Sequence, residues 1–167
     1  MSKVWFCSDL HLGHGNAIKW RTQFETPEDH DSYMFGNIAT MLGKRDSLYV
    51  LGDAAINDVG LALLAQLPPC AKKVLVIGNH DTERGLKIRD FLEVFDDVQG
   101  FMKYKKCWLS HAPIHPAELR DKPNIHGHVH DGTLPDKRYF NVCPENLDKL
   151  VGRPLITFQE IQHFMGR

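Results

Sequence analysis

The stretch Val4-Trp5-Phe6-Cys7-Ser8-Asp9-Leu10-His11 decides the fold. Four apolar residues with β-branched and aromatic members read as a buried strand, and the run ends abruptly in Asp9 and His11. Side chains two apart on an extended segment point the same way, so these two can grip one ion. The arrangement recurs down the chain. Ser47 to Leu51 runs into Gly52-Asp53, Lys73 to Ile77 into Gly78-Asn79-His80-Asp81, and Cys107 to Ser110 into His111. A dense run follows, His126-Gly127-His128-Val129-His130, again with histidines two apart. Gly52 removes a side chain where the backbone must come close to something.

Helical patterns lie between the early strands. Thr26-Pro27-Glu28-Asp29 offers an N-cap threonine, a proline at the first helical position and acidic residues in the first turn. The spacing predicts a helix with Met34, Ile38, Met41 and Leu42 on one stripe, stopping near Gly43. A second helix is expected from Asn57 to Leu67, with Leu61, Leu64 and Leu67 inward and Pro68-Pro69 ending it. Ile88, Phe91, Leu92 and Phe95 have the spacing of a third helix's buried face. Alternation of strand and helix over roughly the first hundred residues implies an α/β fold with parallel pairing, in which strand ends share one rim. Further strands are expected at Ile125, Tyr139 to Val142 and Leu155 to Phe158, where antiparallel hairpins are easier. Lys103-Tyr104-Lys105-Lys106 reads as a solvated edge guarded by lysines rather than a nucleic-acid contact.

The chain has 167 residues, 43% apolar and 25% charged, the values of one globular domain spanning 1–167. Twenty basic residues against 21 acidic ones leave a net charge of −1, which excludes a generally basic surface for nucleic acid. No apolar run is long enough to span a membrane, and the N-terminus lacks signal-peptide character, so a cytoplasmic protein is expected. Cys7, Cys70, Cys107 and Cys143 form no C-x-x-C pair and read as reduced core thiols. The ten histidines are the surplus, and strand-end placement turns them toward metal. Nitrogen and oxygen donors without thiolate disfavour a structural zinc site. Seven or more such donors exceed the needs of one ion. Two divalent ions against Asp9 and Asp53 leave about two positive charges, a pocket suited to phosphate and to phosphoester hydrolysis.

Asp9-x-His11, Gly52-Asp53, Gly78-Asn79-His80-Asp81, His111 and Gly127-His128-Val129-His130, in that order, resemble the calcineurin-like metallophosphoesterase superfamily. The match runs from about residue 4 to residue 158. Gly13-His14-x-Asn16 and Asn141-Val142 are similar to its small bacterial and phage members without an accessory domain. The resemblance implies a four-layer α/β/β/α sandwich of two mixed sheets with two divalent metals at one edge. It implies that Asp9, His11 and His130 hold the first metal, that Asn79, His111 and His128 hold the second, and that Asp53 bridges them. It assigns His80 to the scissile phosphate, where it stabilises or protonates the leaving oxygen, with a metal-bridging hydroxide as nucleophile. Gly52-Asp53-Ala54-Ala55-Ile56-Asn57-Asp58 departs from the G-D-x-x-D-R-G of the protein Ser/Thr phosphatase branch.

Rival metal hydrolases fit poorly. A metallo-β-lactamase motif needs Asp and His in the order opposite to His130-Asp131, and the zinc deaminase signature is missing. An amidohydrolase barrel needs about 250 residues, and His80-Asp81 follows a strand rather than a helix as in HD phosphohydrolases. The competing class is a non-catalytic binding scaffold with the same fold. His14 and Asn16 are the expected substrate contacts, and His126 flanks a motif as phosphate contact or support. Asp81 reads as an orienter of a ligand histidine, Arg21 as a remote candidate for substrate phosphate, and His115 as a turn residue. His30 and His163 look bland. Manganese is the expected cofactor, with iron, nickel and zinc compatible with the donors. The expected substrate is a phosphodiester or accessible monoester, including nucleotides or short nucleic acids.

Overall fold

A computed structural model describes residues 2–166. Strands β1 (Val4–Cys7), β2 (Ser47–Val50), β3 (Lys72–Val76) and β4 (Asp97–Gln99) pair in parallel in the order β4-β3-β2-β1. The second sheet runs β5 (Met102–Tyr104), β6 (Cys107–Leu109), β7 (Asn124–His126) and β8 (Tyr139–Asn141). A short β9 (Ile156–Thr157) completes the first sheet, antiparallel to β1. Both sheets are mixed, and the fold is the α/β sandwich that the motif order implies.

Alternation along the first sheet explains the layering. Phe6, Tyr49, Leu51, Val74 and Val76 face Leu109, Ile125, Phe140 and Val142 of the second sheet. On the opposite face, Trp5, Cys7, Leu48, Val50 and Leu75 pack with Met34 and Ile38 of α1 (Pro27–Met41) and Leu64 of α2 (Asp58–Ala65). Phe6, Leu48, Leu64 and Leu75 are fully buried, positions where truncation to alanine costs about 2–5 kcal/mol. α1 starts where its cap predicts: Thr26 Oγ1 accepts from the Asp29 amide at 3.1 Å, and the Asp29 carboxylate accepts from the Thr26 amide at 3.1 Å. β5 is the edge of its sheet, with Lys103 Nζ 4.2 Å from the centre of the Trp108 ring. No helix among the described residues is long and apolar enough to cross a membrane.

Four expectations need correction. Only β5 and β6 form an antiparallel hairpin in the last third, and β6, β7 and β8 are parallel. The connections 110–123 and 127–138 are long enough to cross back over the sheet, which parallel pairing requires. Met41 is 37% exposed, because α1 ends there and the chain turns inward at Leu42. The third helix is a single turn, α3 (Ile88–Phe91). Phe91 and Phe95 are buried but Ile88 and Leu92 are 51% and 52% exposed, since the chain leaves helical geometry before the stripe repeats. Leu155 to Phe158 is strand only at Ile156–Thr157, because Thr157 caps α5 (Phe158–Phe164) through a box with Glu160. That box, and Pro144 opening α4 (Pro144–Val151) ahead of Gly152, were the unread signals of two helices.

Candidate metal centre

The C-terminal ends of β1, β2, β3, β6 and β7 open onto one rim, and the strand-end residues meet there. Five of them take left-handed backbone: φ is 51° at Asp9, 49° at His11, 50° at Asp53, 71° at His128 and 50° at His130. Such a conformation costs a non-glycine residue about 1–2 kcal/mol and persists only where neighbours over-determine it. The β1–β2 ladder supplies part of that. It continues past the strands through Asp9 N to Gly52 O and His11 N to Asp53 O, both 2.9 Å. Asp81 supplies more. Fully buried, it accepts from the Asp53 amide (3.0 Å), the Ala54 amide (2.8 Å) and the Gly78 amide (2.7 Å). Asp81 therefore holds the backbone of the Asp53 loop and not a histidine ring, as its sequence position had suggested. Gly52, with φ of +86°, leaves room that a Cβ would take from the His111 ring.

Each of the two carboxylates spends one oxygen on local donors and turns the other to imidazoles. Asp9 Oδ2 accepts from the His128 amide (2.9 Å) and the Cys143 thiol (3.2 Å), while Oδ1 lies 3.9 Å from His11 Nε2 and 3.8 Å from His130 Nε2. Asp53 Oδ1 accepts from the His80 amide (2.9 Å). Its Oδ2 lies 3.8 Å from His11 Nε2 and 3.4 Å from His111 Nε2, between the two halves of the cluster. Asn79 Oδ1 stands 2.9 Å from His111 Nε2 and 3.1 Å from His128 Nδ1. Among the described residues, two donor groups emerge, Asp9-His11-His130 and Asp9-Asp53-His111, with Asp9 common to both. Donors bound to one ion at about 2.1 Å stand about 3.0–3.4 Å apart, close to these spacings.

Two observations test whether these residues fit cations. Asp9 Oδ1 and both ring nitrogens of His11 are buried with no hydrogen-bond partner, a cost that a bound cation removes for the atoms facing it. The charge pattern agrees. Burial, followed by the charge of Arg21, holds His11 well below the ordinary imidazole value and therefore neutral, the ligand form. Burial opposes the charge on His111 as well, but the hydrogen bond to Asp53 and both carboxylates push its pKa up, so a positive charge is favoured between those two anions. The donors fit divalent cations.

Residues 2–162 match the family model of the calcineurin-like phosphoesterases. The chain belongs to that family. Membership points to phosphoester hydrolysis, and the Asp/His groups are suited to the divalent metals such phosphoesterases use. The Gene 66 protein of Mycobacterium phage D29 is 36% identical over 179 aligned residues, covering 85% of this chain and 87% of its own. A crystal structure of the protein of unknown function AQ665 from Aquifex aeolicus covers 98% of this chain and 99% of its own, with a TM-score of 0.71 and 25% identity. Nuclease MPE of Pseudomonas putida shares the fold over 76% of this chain and 60% of its own, at TM-score 0.51 and 24% identity.

Behind these candidate metal ligands runs a buried polar chain that the sequence did not disclose. Arg21 is 1% exposed. It donates to Asp9 O (2.7 Å), Leu10 O (3.4 Å) and Glu145 Oε1 (2.9 Å), so it braces the ligand loop and does not face substrate. His30 is equally buried. Its Nε2 is 2.8 Å from Arg21 and its Nδ1 2.9 Å from Asp31, whose other oxygen accepts from the Gly13 amide. At the other end, Glu145 Oε1 pairs with His130 Nδ1 at 3.0 Å, leaving Nε2 toward the centre. Burial alone would raise the Glu145 carboxyl, but His130 and Arg21 hold it down at about 2. Cys143 is a buried thiol whose pKa burial pushes up, so it stands beside Asp9 as a donor and not a ligand.

The remaining candidates divide. His80 and His14 line a cavity of about 550 Å³ with His11, Trp20, His130, Asp131 and Glu145. His80 Nδ1 is paired with Glu83 Oε2 at 2.6 Å. Burial lowers the pKa of His14, and the charge of Arg84 adds to that. Asn16 is exposed and outside the cavity lining; its amide donates to His14 Nδ1 at 3.1 Å. His126 is buried in β7 against Tyr139, with Nδ1 2.9 Å from Gly127 O. His115 accepts from the Ala117 amide in a turn, and His163 is exposed. Among the described residues no two cysteines are joined in a disulfide; Cys7, Cys107 and Cys143 are buried as expected of core thiols, but Cys70 is only partly buried.

Proposed function

We propose that this chain is a single-domain, dinuclear phosphodiesterase. The observation that carries the reading is the convergence of Asp9 Oδ1, Asp53 Oδ2 and the His11, His111 and His130 nitrogens within 3.4–3.9 Å contacts, with Asp9 Oδ1 and His11 Nε2 buried and unpartnered. Asp9, His11 and His130 would hold one divalent cation, Asn79, His111 and His128 the other, and Asp53 both. Manganese suits the mixed nitrogen and oxygen set, with iron, nickel or zinc as alternatives. Such cations supply Lewis acidity toward a phosphoryl oxygen and lower the pKa of water. His80 stands on the cavity wall with Nδ1 donating to Glu83, which leaves Nε2 for substrate. From there His80 stabilises or protonates the departing ester oxygen through Nε2, with Glu83 orienting the ring. His14 is the second wall histidine and contacts the bound phosphoester.

The test is a panel of bis(p-nitrophenyl) phosphate and p-nitrophenyl phosphate against manganese, nickel, zinc and magnesium, with wild type and His80→Ala. The expected outcome is diester hydrolysis with manganese and a loss of about 10²–10⁴ in kcat in the variant, with metal content unchanged. Unchanged turnover of His80→Ala removes the acid role. Hydrolysis of the monoester alone overturns the diester preference, and a wild type inert with every metal favours a binding scaffold.

A further inference from the structure

The cavity wall carries one large aromatic ring whose placement the hydrolytic machinery does not require. Trp20 is 46% exposed, although it sits among the metal-centre histidines. Its ring centre is 5.2 Å from that of His14, 5.9 Å from His11 and 6.4 Å from His130. All three meet it at 76–80°, and no ring among the described residues lies parallel to it. The contrast is Phe101, similarly exposed but already stacked on Trp108 at 4.8 Å and 18°. A half-exposed indole gives up water cheaply to another flat ring, and no neighbour takes that place.

The backbone that carries Trp20 is held firmly. Trp20 ends the short turn Ala17–Lys19, and its amide donates to Ala17 O at 3.2 Å. The next residue is Arg21, whose guanidinium is tied to Asp9 O, Leu10 O, His30 and Glu145. The backbone that carries the indole is thus anchored beside Asp9 before any ligand arrives, which spares part of the ordering entropy on binding. A ring stacked on Trp20 would lie beside the candidate ligand histidines, since the indole centre is 5.9 Å from that of His11 and 6.4 Å from that of His130.

We propose that Trp20 is a stacking platform for a nucleobase, so that the substrates of this site are phosphodiesters bearing a nucleoside. This rests on the phosphodiesterase reading and adds its substrate class. Base–aromatic stacking is tolerant of base identity, so the preference is for a base over none. Lys19 precedes the indole in the chain and the charge of Arg84 acts on His14, while the chain as a whole carries a net charge of −1 and so lacks the excess of cations that a long phosphate backbone demands. Short nucleotide esters therefore fit better than long strands.

Uridine 5′-monophosphate and ribose 5-phosphate present one phosphate with and without a base, and calorimetric titration of the manganese-loaded full chain compares them. Wild type should bind the nucleotide about tenfold more tightly, within the range that stacking supplies. Trp20→Ala should bring the ratio close to one, with its fold checked by circular dichroism. Trp20→Phe should keep most of the preference but lose the nucleotide-induced quenching of indole fluorescence, with Trp5 and Trp108 as internal reference. An equal ratio in wild type, an unchanged ratio in Trp20→Ala, or binding of neither ligand overturns the proposal. Hydrolysis of bis(p-nitrophenyl) phosphate by the same preparation separates the two levels. Activity without base preference overturns only the role of Trp20. An inert chain overturns the phosphodiesterase reading and, if the ratio survives, leaves a base-selective scaffold.

Discussion

Glu145→Ala is the most informative perturbation, because one carboxylate serves both the fold and the proposed metal ligand His130. Its Oε1 accepts from Arg21 Nε at 2.9 Å and from His130 Nδ1 at 3.0 Å. Arg21 is 1% exposed, so removing Glu145 strands a guanidinium with two backbone carbonyls and the His30 ring but no anion in contact. Breaking a buried pair from one side costs about 3–5 kcal/mol; the surviving carbonyl contacts place this case near the lower end. At about 2–4 °C per kcal/mol for a chain of this size, Tm should fall by about 6–12 °C. Separately, loss of the carboxylate that orients a ligand imidazole costs about 10–100-fold in metal affinity. Thermal unfolding in chelator isolates the first effect, and calorimetric titration with manganese reads the second. Adding Arg21→Met in the Glu145→Leu background should recover much of the stability, since an apolar pair can replace a buried ion pair, while leaving metal affinity low. A Glu145→Ala chain with Tm within about 2 °C of wild type and unaltered manganese affinity would refute the bracing argument.

Three further outcomes follow from the same geometry. Asp53→Asn keeps the shape but removes the anion between His11 and His111, and should lower manganese stoichiometry as well as turnover by more than the roughly hundredfold expected of an outer partner; full metal loading would contradict the assignment. Gly127→Ala would drive a methyl into Asp9 Oδ2 and Ser8, so thermal melts should show it destabilised, with weaker metal binding than a distant variant of equal Tm. Asp46 accepts from the Lys3 amide (2.7 Å), the Gly43 amide (3.0 Å) and Trp5 Nε1 (3.1 Å). Burial opposes its ionisation, but these donors hold its pKa below the ordinary 3.8. The stabilisation is therefore complete above that value and lost as pH falls through the folded one. Denaturant titrations should show wild type losing more stability than Asp46→Asn as pH drops from about 5 to 3.

Much of this was legible because local order and spatial order coincide along a parallel sheet. Asp9, Asp53, Asn79 and His111 each follow a strand directly, so placing the strands places the residues on one rim. The two helices missed, α4 and α5, bury few residues, and their apolar period is too short to read; their caps were the better guide. The parallel ladder of the second sheet was unreadable for another reason: its crossovers contain no α-helix to announce them.

By itself, then, the sequence determined the β-α alternation and the β1, β2 and β3 core of the first sheet, and it singled out the candidate donor residues, since each depends on patterns no longer than a helix turn or strand end. Only the tertiary structure decided what supports those donors. Arg21 and Glu145 are 124 residues apart and Cys143 and Asp9 are 134 apart, and His30 looks like any polar residue at a helix start. Such pairs form because burying one ionic or polar group demands a partner wherever the fold can supply it, and no local spacing records that demand. The same holds for Trp20, whose place on the cavity wall beside His11, His14 and His130 no local pattern records.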